Sequence, residues 1–402
     1  MIAEDDVIQE CKSQNMKLLQ YLTQPDIMHQ MLQLIITVPD ESIEPNIRFK
    51  SANVVCELLT CELDLMNDGL MAQENMETLY SFIATTNVED GESKTKEQLN
   101  PLLASFVSKT FCVLIRHRPQ ALLEFLKTKD SFVEDILSHI QVSAMSDLLI
   151  RLITGIKEEL EETRNAVIAW LSEKRLVPRL VECLGKNADP ESQSNATQLV
   201  CDVIKICREQ QSQMQEKASP NPLLEEIESS ETVDKILQTM FETNTEAAIV
   251  QGILILQSLI EYKRHNANLN QPPAGVVDEN PDEGIPPNLQ QQVVFGQNRP
   301  ENPVNLVSVD VVSALDAQRL AQSVCQVHAA VIPRLSQLHE FLVTEPPVRP
   351  ILTTIGVIER PLGMARIEAV HFIRALLSSN NPAINRALAS LKTISILIVS
   401  SF

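Results

Sequence analysis

The sequence predicts an all-α fold, a stack of helical repeats interrupted by one long disordered loop. Glycine is scarce, with 10 residues in 402, and aromatic residues make up only 4% of the chain. Proteins built on sheets and catalytic loops usually need more glycine, because tight turns require positive φ. Apolar residues also recur at helical spacing through nearly everything before residue 262, which favours helices packed on helices.

The helical pattern is clearest in the segment 194–207. Its apolar positions 199, 200, 203, 204 and 207 form one stripe at 3.6-residue spacing, as expected of a helix with one buried face. Prolines stand where helices are expected to begin, since the first helical residue needs no backbone N–H. These prolines are Pro25, Pro45, Pro101, Pro119, Pro190 and Pro222.

A weak internal repeat runs through the first part of the chain. In four segments an apolar residue ends one helix, a charged turn follows, and an apolar pair comes about ten residues later. A second helix then follows, at about 46–61, 142–154, 192–210 and 245–262. This pattern is typical of the helix pairs of armadillo and HEAT solenoids, which bury one face only by stacking. A compact helical bundle is the alternative.

The chain divides into three parts. Residues 1–262 form the N-terminal part of the helical-repeat domain, and residues 308–402 form its C-terminal part. Between them, residues 263–307 are rich in proline, asparagine and glutamine, a composition typical of disorder. We expect the C-terminal part to be incomplete, because the apolar run 394–399 lacks the polar cap of a solenoid end.

Charge and cysteine usage exclude several classes of function. The net charge of −20 disfavours nucleic acid and anionic lipid as ligands. The longest apolar run at the C-terminus is too short to span a bilayer, so we expect no membrane insertion. Eight dispersed cysteines without a CxxC pair indicate a reducing compartment. We therefore expect a cytoplasmic protein, with the nucleus as a second location.

The sequence contains no recognisable catalytic or cofactor motif. Nucleotide-binding glycine loops, the GxSxG elbow and HExxH are all missing, so we expect neither an enzyme nor a cofactor. Cys325 and His328 lie one turn apart, but two ligands do not hold zinc. Trp170, among apolar neighbours, is expected in the core.

Several strings resemble the SAPS-domain family, the regulatory subunits of protein phosphatase 6. They occur in family order along the chain, at 4–15, 48–50, 56–60, 100–109, 143–152, 193–198, 351–357 and 361–366. The resemblance implies a non-catalytic subunit that binds the phosphatase 6 catalytic subunit, directs it to substrates and joins an ankyrin-repeat regulatory protein. A generic armadillo-like adaptor for trafficking or transport is the alternative, and an enzyme is a more distant one.

The partner-binding residues are predicted from helix geometry, because the second helix of each repeat usually lines the concave face. An inter-repeat hydrogen bond or salt bridge is an equally good interpretation for each of them. The predicted partner-binding residues are Arg48, Lys50, Glu57, Lys109, Asp147, Arg151, Asn195, Gln198, Asp202 and Arg366.

Overall fold

In a computed structural model, the described residues form twenty-one α-helices and one two-stranded antiparallel hairpin. The described residues are 4–44, 47–84, 98–185, 188–214, 221–243, 245–261, 314–344, 350–354, 356–358 and 363–399. The predicted loop 263–307 lies outside them. The all-α prediction is confirmed.

The helices follow one another in groups of three, after a first helix α1 (Glu4–Lys12). The first two groups are α2 (Met16–Leu22), α3 (Pro25–Ile36) and α4 (Lys50–Leu59), then α5 (Asp64–Leu70), α6 (Gln73–Ser81) and α7 (Pro101–His117). The next two are α8 (Pro119–Lys127), α9 (Phe132–Leu137) and α10 (Ser143–Thr154), then α11 (Glu161–Glu173), α12 (Leu176–Glu182) and α13 (Pro190–Met214). The fifth is α14 (Pro222–Glu228), α15 (Ser230–Thr243) and α16 (Glu246–Ile260).

The C-terminal part continues the same arrangement. It contains α17 (Ala314–Val331), α18 (Leu335–Val343), α19 (Met364–Ser378), α20 (Pro382–Ser390) and α21 (Thr393–Val399). Strands β1 (Ile351–Thr353) and β2 (Gly356–Ile358) form a hairpin between α18 and α19. Helices α17 and α19 pack directly on α16, so the stack is continuous across the undescribed segment 262–313.

The third helices of successive groups pack on one another and form the spine of the fold. We call this row α4, α7, α10, α13, α16 and α19 the helix ladder, since each member contacts the next. One hydrophobic core runs along it from Ile8 to Leu388. Trp170 lies in this core and is 4% exposed, with its ring centroid 5.4 Å from that of Phe132. The predicted core position of Trp170 is therefore confirmed.

Proline and asparagine mark where the helices begin. Pro25, Pro101, Pro119, Pro190 and Pro222 each occupy the first residue of a helix, as predicted; Pro45 lies outside the described residues. Asparagines precede three of the proline-initiated helices and accept hydrogen bonds from backbone N–H groups of the first turn, which would otherwise lack partners. These capping residues are Asn100, Asn221 and Asn381.

The repeat differs from the predicted helix pair in having three helices. The sequence pattern indicated the turn between α2 and α3, at residues 23–24, and a helix start at Pro25. It did not count the segment after that turn as a helix of its own, and so it gave two helices per repeat. The groups α5–α7 and α17–α19 are repeats that the sequence pattern did not indicate. The predicted final helix 382–400 is also divided, since Lys392 has φ 58°, outside the helical region.

The hairpin is a second difference from the sequence prediction. Each strand has three residues, too few to give a recognisable alternation, and Gly356, at φ 140°, is the first residue of β2 directly after the turn. Among the described helices, none is both long and apolar enough to cross a membrane.

Contacts between successive repeats recur at a nearly constant sequence separation. The Tyr80 hydroxyl donates to Asp135 Oδ2 at 2.6 Å, 55 residues away, and the Ser258 hydroxyl lies 3.2 Å from Cys201 Sγ, 57 residues away. Each repeat thus bonds to the equivalent place in its neighbour, as expected of a solenoid.

Candidate protein-binding surface

The helix ladder carries nine of the ten predicted partner-binding residues, and the tenth, Arg48, lies two residues before the start of α4. They are Lys50 and Glu57 on α4, Lys109 on α7, Asp147 and Arg151 on α10, Asn195, Gln198 and Asp202 on α13, and Arg366 on α19. Their role in partner binding stays a prediction, but their surroundings separate them into two classes.

Four of the predicted residues line one groove between α7, α10 and α13. They are Lys109, Asp147, Arg151 and Asp202, and we call this cleft the central groove. Lys109, Asp147 and Arg151 are exposed, and Asp202 is half-buried. Within the described part of the chain, the side chains of Lys109, Asp147 and Arg151 form no hydrogen bond or ion pair. These three charges are therefore available to a partner.

A second cleft lies beside the first, between α13 and α16. Gln198 and Asp202 line it, and the Gln198 amide donates to Asp202 Oδ1 at 3.0 Å. The sequence analysis missed Lys205 and Gln251, which line the same cleft. A signal for Lys205 existed: positions 198, 202, 205 and 209 form a polar stripe at helical spacing, opposite the buried stripe of α13.

Arg48 and Asn195 are engaged within the chain. The guanidinium of Arg48 donates to the carbonyl of Pro39 through Nε at 3.1 Å and Nη2 at 2.8 Å. The Asn195 amide donates to the carbonyls of Ile140 at 2.9 Å and Gln141 at 3.1 Å, which ties α13 to the loop between α9 and α10 of the preceding repeat. For Asn195, the structure supports the inter-repeat interpretation that the sequence left open.

Arg366 is buried, 8% exposed, at the start of α19. Its guanidinium donates to the carbonyl of Thr344 and lies over the ring of Phe341, 4.8 Å from the centroid. These contacts fix the end of α18 against α19. By contrast, Lys50 and Glu57 on α4 are exposed.

Two cysteine thiols line these clefts. Burial raises the pKa of the Cys112 thiol in the central groove, and it raises the pKa of Cys201 to about 11 in the neighbouring cleft. Both thiols are therefore protonated near neutral pH and are poor nucleophiles. Across the described residues, no group of three or more His, Cys, Asp or Glu side chains is placed to hold a metal ion.

Cys325 and His328, one turn apart on α17, have different surroundings. His328 is buried, and its ring nitrogens lie 2.8 Å from Ser379 Oγ and 3.1 Å from the Asn381 amide nitrogen. Burial lowers the pKa of this imidazole, and Cys325 is exposed to solvent. His328 therefore joins α17 to the junction of α19 and α20.

Comparison with known proteins gives one consistent match. The family model described as SIT4 phosphatase-associated protein matches residues 111–395. Human serine/threonine-protein phosphatase 6 regulatory subunit 2 is 36% identical over 400 residues, 99% of this chain and 36% of that protein. Human serine/threonine-protein phosphatase 6 regulatory subunit 1 is 34% identical over 393 residues, 97% of this chain and 40% of that protein.

A more distant relative comes from fission yeast. Extragenic suppressor of kinetochore protein 1 of Schizosaccharomyces pombe is 26% identical over 313 residues, 74% of this chain and 34% of that protein. The chain thus spans about two fifths or less of the length of these curated relatives. Comparison with solved structures gave no significant match.

Proposed function

Because this chain belongs to the SIT4 phosphatase-associated protein (SAPS) family, we propose that it is a non-catalytic regulatory subunit of protein phosphatase 6. In this role it binds the phosphatase catalytic subunit and directs it to substrates. The observation that carries the proposal is similarity along 99% of the chain to relatives named as regulatory subunits of that phosphatase. A generic transport adaptor is not favoured.

The helix ladder offers a physical basis for this role. A row of packed helices holds the backbone positions of exposed side chains fixed, so a partner can bind without first ordering the backbone that carries them. Lys109, Asp147 and Arg151 supply charges of both signs in one groove. Docking a substrate beside the bound enzyme raises its effective concentration at the active site and requires no new catalytic group.

Co-purification tests the proposal directly. The chain is expressed together with the catalytic subunit of phosphatase 6 and, as a control, with that of phosphatase 2A. We expect stoichiometric recovery with the first and none with the second. A folded helical chain, judged by circular dichroism, that retains neither subunit would contradict the proposal and support the adaptor alternative.

Charge reversal tests the central groove as the contact surface. The double variant Lys109→Glu/Arg151→Glu should bind the phosphatase 6 catalytic subunit about 10-fold or more weakly, because the two new carboxylates would repel the partner groups that Lys109 and Arg151 attract. Lys127→Glu/Lys157→Glu is the matched control: it changes the net charge equally at exposed positions outside the ladder. Equal loss of binding in both variants would exclude a specific role for the groove.

Two finer parts of the proposal need separate tests. An ankyrin-repeat regulatory protein is proposed as a third subunit, and it should co-elute with the binary complex in size-exclusion chromatography. A cytoplasmic location, with a nuclear fraction, is proposed from the cysteine content and can be checked by fractionation of cells that express the chain.

A further inference from the structure

Helices α10 and α13 of the helix ladder run side by side in the same direction. Near the start of α13, the Asn195 amide donates to the carbonyls of Ile140 and Gln141, which lie 55 and 54 residues earlier and just before α10 begins. Further along, both helices line the central groove. Because each helix rises about 1.5 Å per residue, a residue of α10 is level with the residue of α13 that comes 54 or 55 positions later.

This register places like charges side by side on the two helices. Asp147 is level with Asp202, and we call these two residues the acidic row. Arg151 is level with Lys205, and we call these two residues the basic row. The basic row lies about one helical turn beyond the acidic row, and the two charges within a row are separated by the distance between packed helices, about 8–10 Å.

The charges of the two rows do not pair with each other. Asp147 and Arg151 have the i,i+4 spacing and the order along the helix that favour an ion pair, yet they form none. Asp202 and Lys205 on α13 form none either. In the part of the chain that the structure describes, only Asp202 of these four side chains has a hydrogen-bond partner, the Gln198 amide.

Ion pairs elsewhere in the stack show that neighbouring repeats do pair opposite charges. Lys129, after α8, pairs with Glu77 on α6 at 2.6 Å. Lys174, after α11, pairs with Asp130, just before α9, at 2.8 Å. On α10 and α13 like charges are neighbours instead, so an inter-repeat salt bridge does not explain them. Their separation is about one Debye length at physiological salt, so they repel each other in the free chain.

The two rows define the charges that a partner must present. Cationic side chains would have to lie over the acidic row and anionic side chains over the basic row. In an α-helix, residues seven positions apart share a face and lie about 10 Å apart, which matches the spacing within each row. In an extended strand, residues on one face are about 7 or 13 Å apart, so a strand fits this spacing less well.

We propose that the phosphatase catalytic subunit docks on α10 and α13 through a surface helix that crosses both of them, with cations over the acidic row and anions over the basic row. This inference rests on the proposed function and names the chemistry of the partner segment. Turning the segment end over end about the normal to the groove would bring like charges together, so the two rows fix the orientation in which the enzyme binds.

The test reverses the two rows without changing the net charge. The row-swapped variant, Asp147→Lys/Arg151→Glu/Asp202→Lys/Lys205→Glu, should bind the purified phosphatase 6 catalytic subunit about 100-fold more weakly in biolayer interferometry, because each partner charge then faces a like charge. The neutral variant, Asp147→Asn/Arg151→Gln/Asp202→Asn/Lys205→Gln, removes the attraction without adding repulsion, so it should bind only about 10-fold more weakly.

The matched control makes the same kind of swap outside the helix ladder. It is Glu124→Lys/Lys127→Glu on α8 combined with Glu231→Lys/Lys235→Glu on α15, at four exposed positions with the same three- and four-residue spacings. Its net charge is unchanged, and it should bind as tightly as the unmodified chain.

The outcomes separate this inference from the proposed function. If the row-swapped variant binds within about 3-fold of the unmodified chain, no more weakly than the neutral variant, or as weakly as the control, the order of the charges is not recognised. The inference is then wrong, and the regulatory function stands. If the unmodified chain does not bind, the proposed function fails and the inference with it. If the row-swapped variant melts at a much lower temperature, Asp147→Lys/Arg151→Glu, confined to exposed positions on α10, decides by the same comparison.

Discussion

Arg208 should be the side chain that most strongly joins the two parts of the solenoid. It is 9% exposed and donates to Glu228 Oε1 through Nε at 3.0 Å and Nη2 at 2.7 Å. It also donates to the carbonyls of Ser258 at 2.9 Å and Leu259 at 3.1 Å, and to the hydroxyl of Ser323 at 3.1 Å. One guanidinium on α13 thus holds α14, the C-terminal end of α16 and α17.

The expected cost of replacing Arg208 by methionine follows from these contacts. Removing one partner of a buried ion pair typically costs about 3–5 kcal/mol, because the other charge is left unpaired. Glu228 keeps 20% side-chain exposure, which favours the lower end of that range. The carbonyls at the end of α16 also lose a cationic donor at the negative end of the helix dipole. We therefore expect a loss of about 3 kcal/mol in the free energy of unfolding.

Urea unfolding monitored by circular dichroism measures this loss. Amide hydrogen exchange should become faster first in α16 and α17. The double variant Arg208→Met/Glu228→Met is the control, because replacing both charges by apolar groups should recover most of the stability. If Arg208→Met stays within about 1 kcal/mol of the unmodified chain, or the double variant is no more stable than the single one, the assignment of Arg208 as the link is wrong.

Three further predictions concern the core and its buried polar groups. Trp170→Ala should lower the free energy of unfolding by about 3–5 kcal/mol, since it leaves a large cavity, and thermal melting will show it. Burial and the hydrogen bond to Asp135 raise the pKa of Tyr80 above its unfolded value of about 10. The stability from neutral Tyr80 is therefore complete below that pH and lost above it, so Tyr80→Phe should lose less stability than the unmodified chain between pH 9 and 11. Iodoacetamide at pH 8 should modify exposed Cys325 rapidly and leave buried Cys207 intact, because burial raises the pKa of Cys207 to about 12, as mass spectrometry can determine.

Each of these predictions has a contrary outcome. A small effect of Trp170→Ala, comparable to that of Trp170→Phe, would mean that the site collapses around the cavity. Parallel alkaline unfolding curves for Tyr80→Phe and the unmodified chain would place the loss of stability in other groups. Modification of Cys207 at the rate of Cys325 in the folded chain would show that α13 opens locally.

Helix type and position were largely predictable from the sequence. The apolar stripe at 199–207 depends only on residues within α13, so the sequence alone reveals it. Pro101 and Pro222 start helices for steric reasons that are equally local. The sequence pattern indicated the breaks near Gln24 and Ser229, but it assigned no separate helix to the apolar pair that follows each break, so the count of three helices per repeat came only from the structure. The hairpin at 351–358 was missed for a related reason, since three-residue strands carry too little pattern.

The candidate surface was predictable only in outline. Choosing the last helix of each repeat placed nine residues on the helix ladder, but the sequence could not distinguish exposed Arg151 from buried Arg366. Both are arginines within family-like strings, and only packing decides that Arg366 contacts Thr344 and Phe341. The contacts of Asn195 could not be predicted either, because the carbonyls to which it donates belong to the preceding repeat, about 55 residues away.

By itself, the sequence determined the fold class, the helix starts, the buried position of Trp170 and the family resemblance, because each depends on residues close together in the chain. Only the tertiary structure decided which charges remain unpaired and where the clefts form. The central groove joins three helices of different repeats, and Arg208 on α13 donates to the hydroxyl of Ser323 on α17, 115 residues away. Such sites depend on how helices stack across repeats, and side-chain periodicity within one helix does not encode that register.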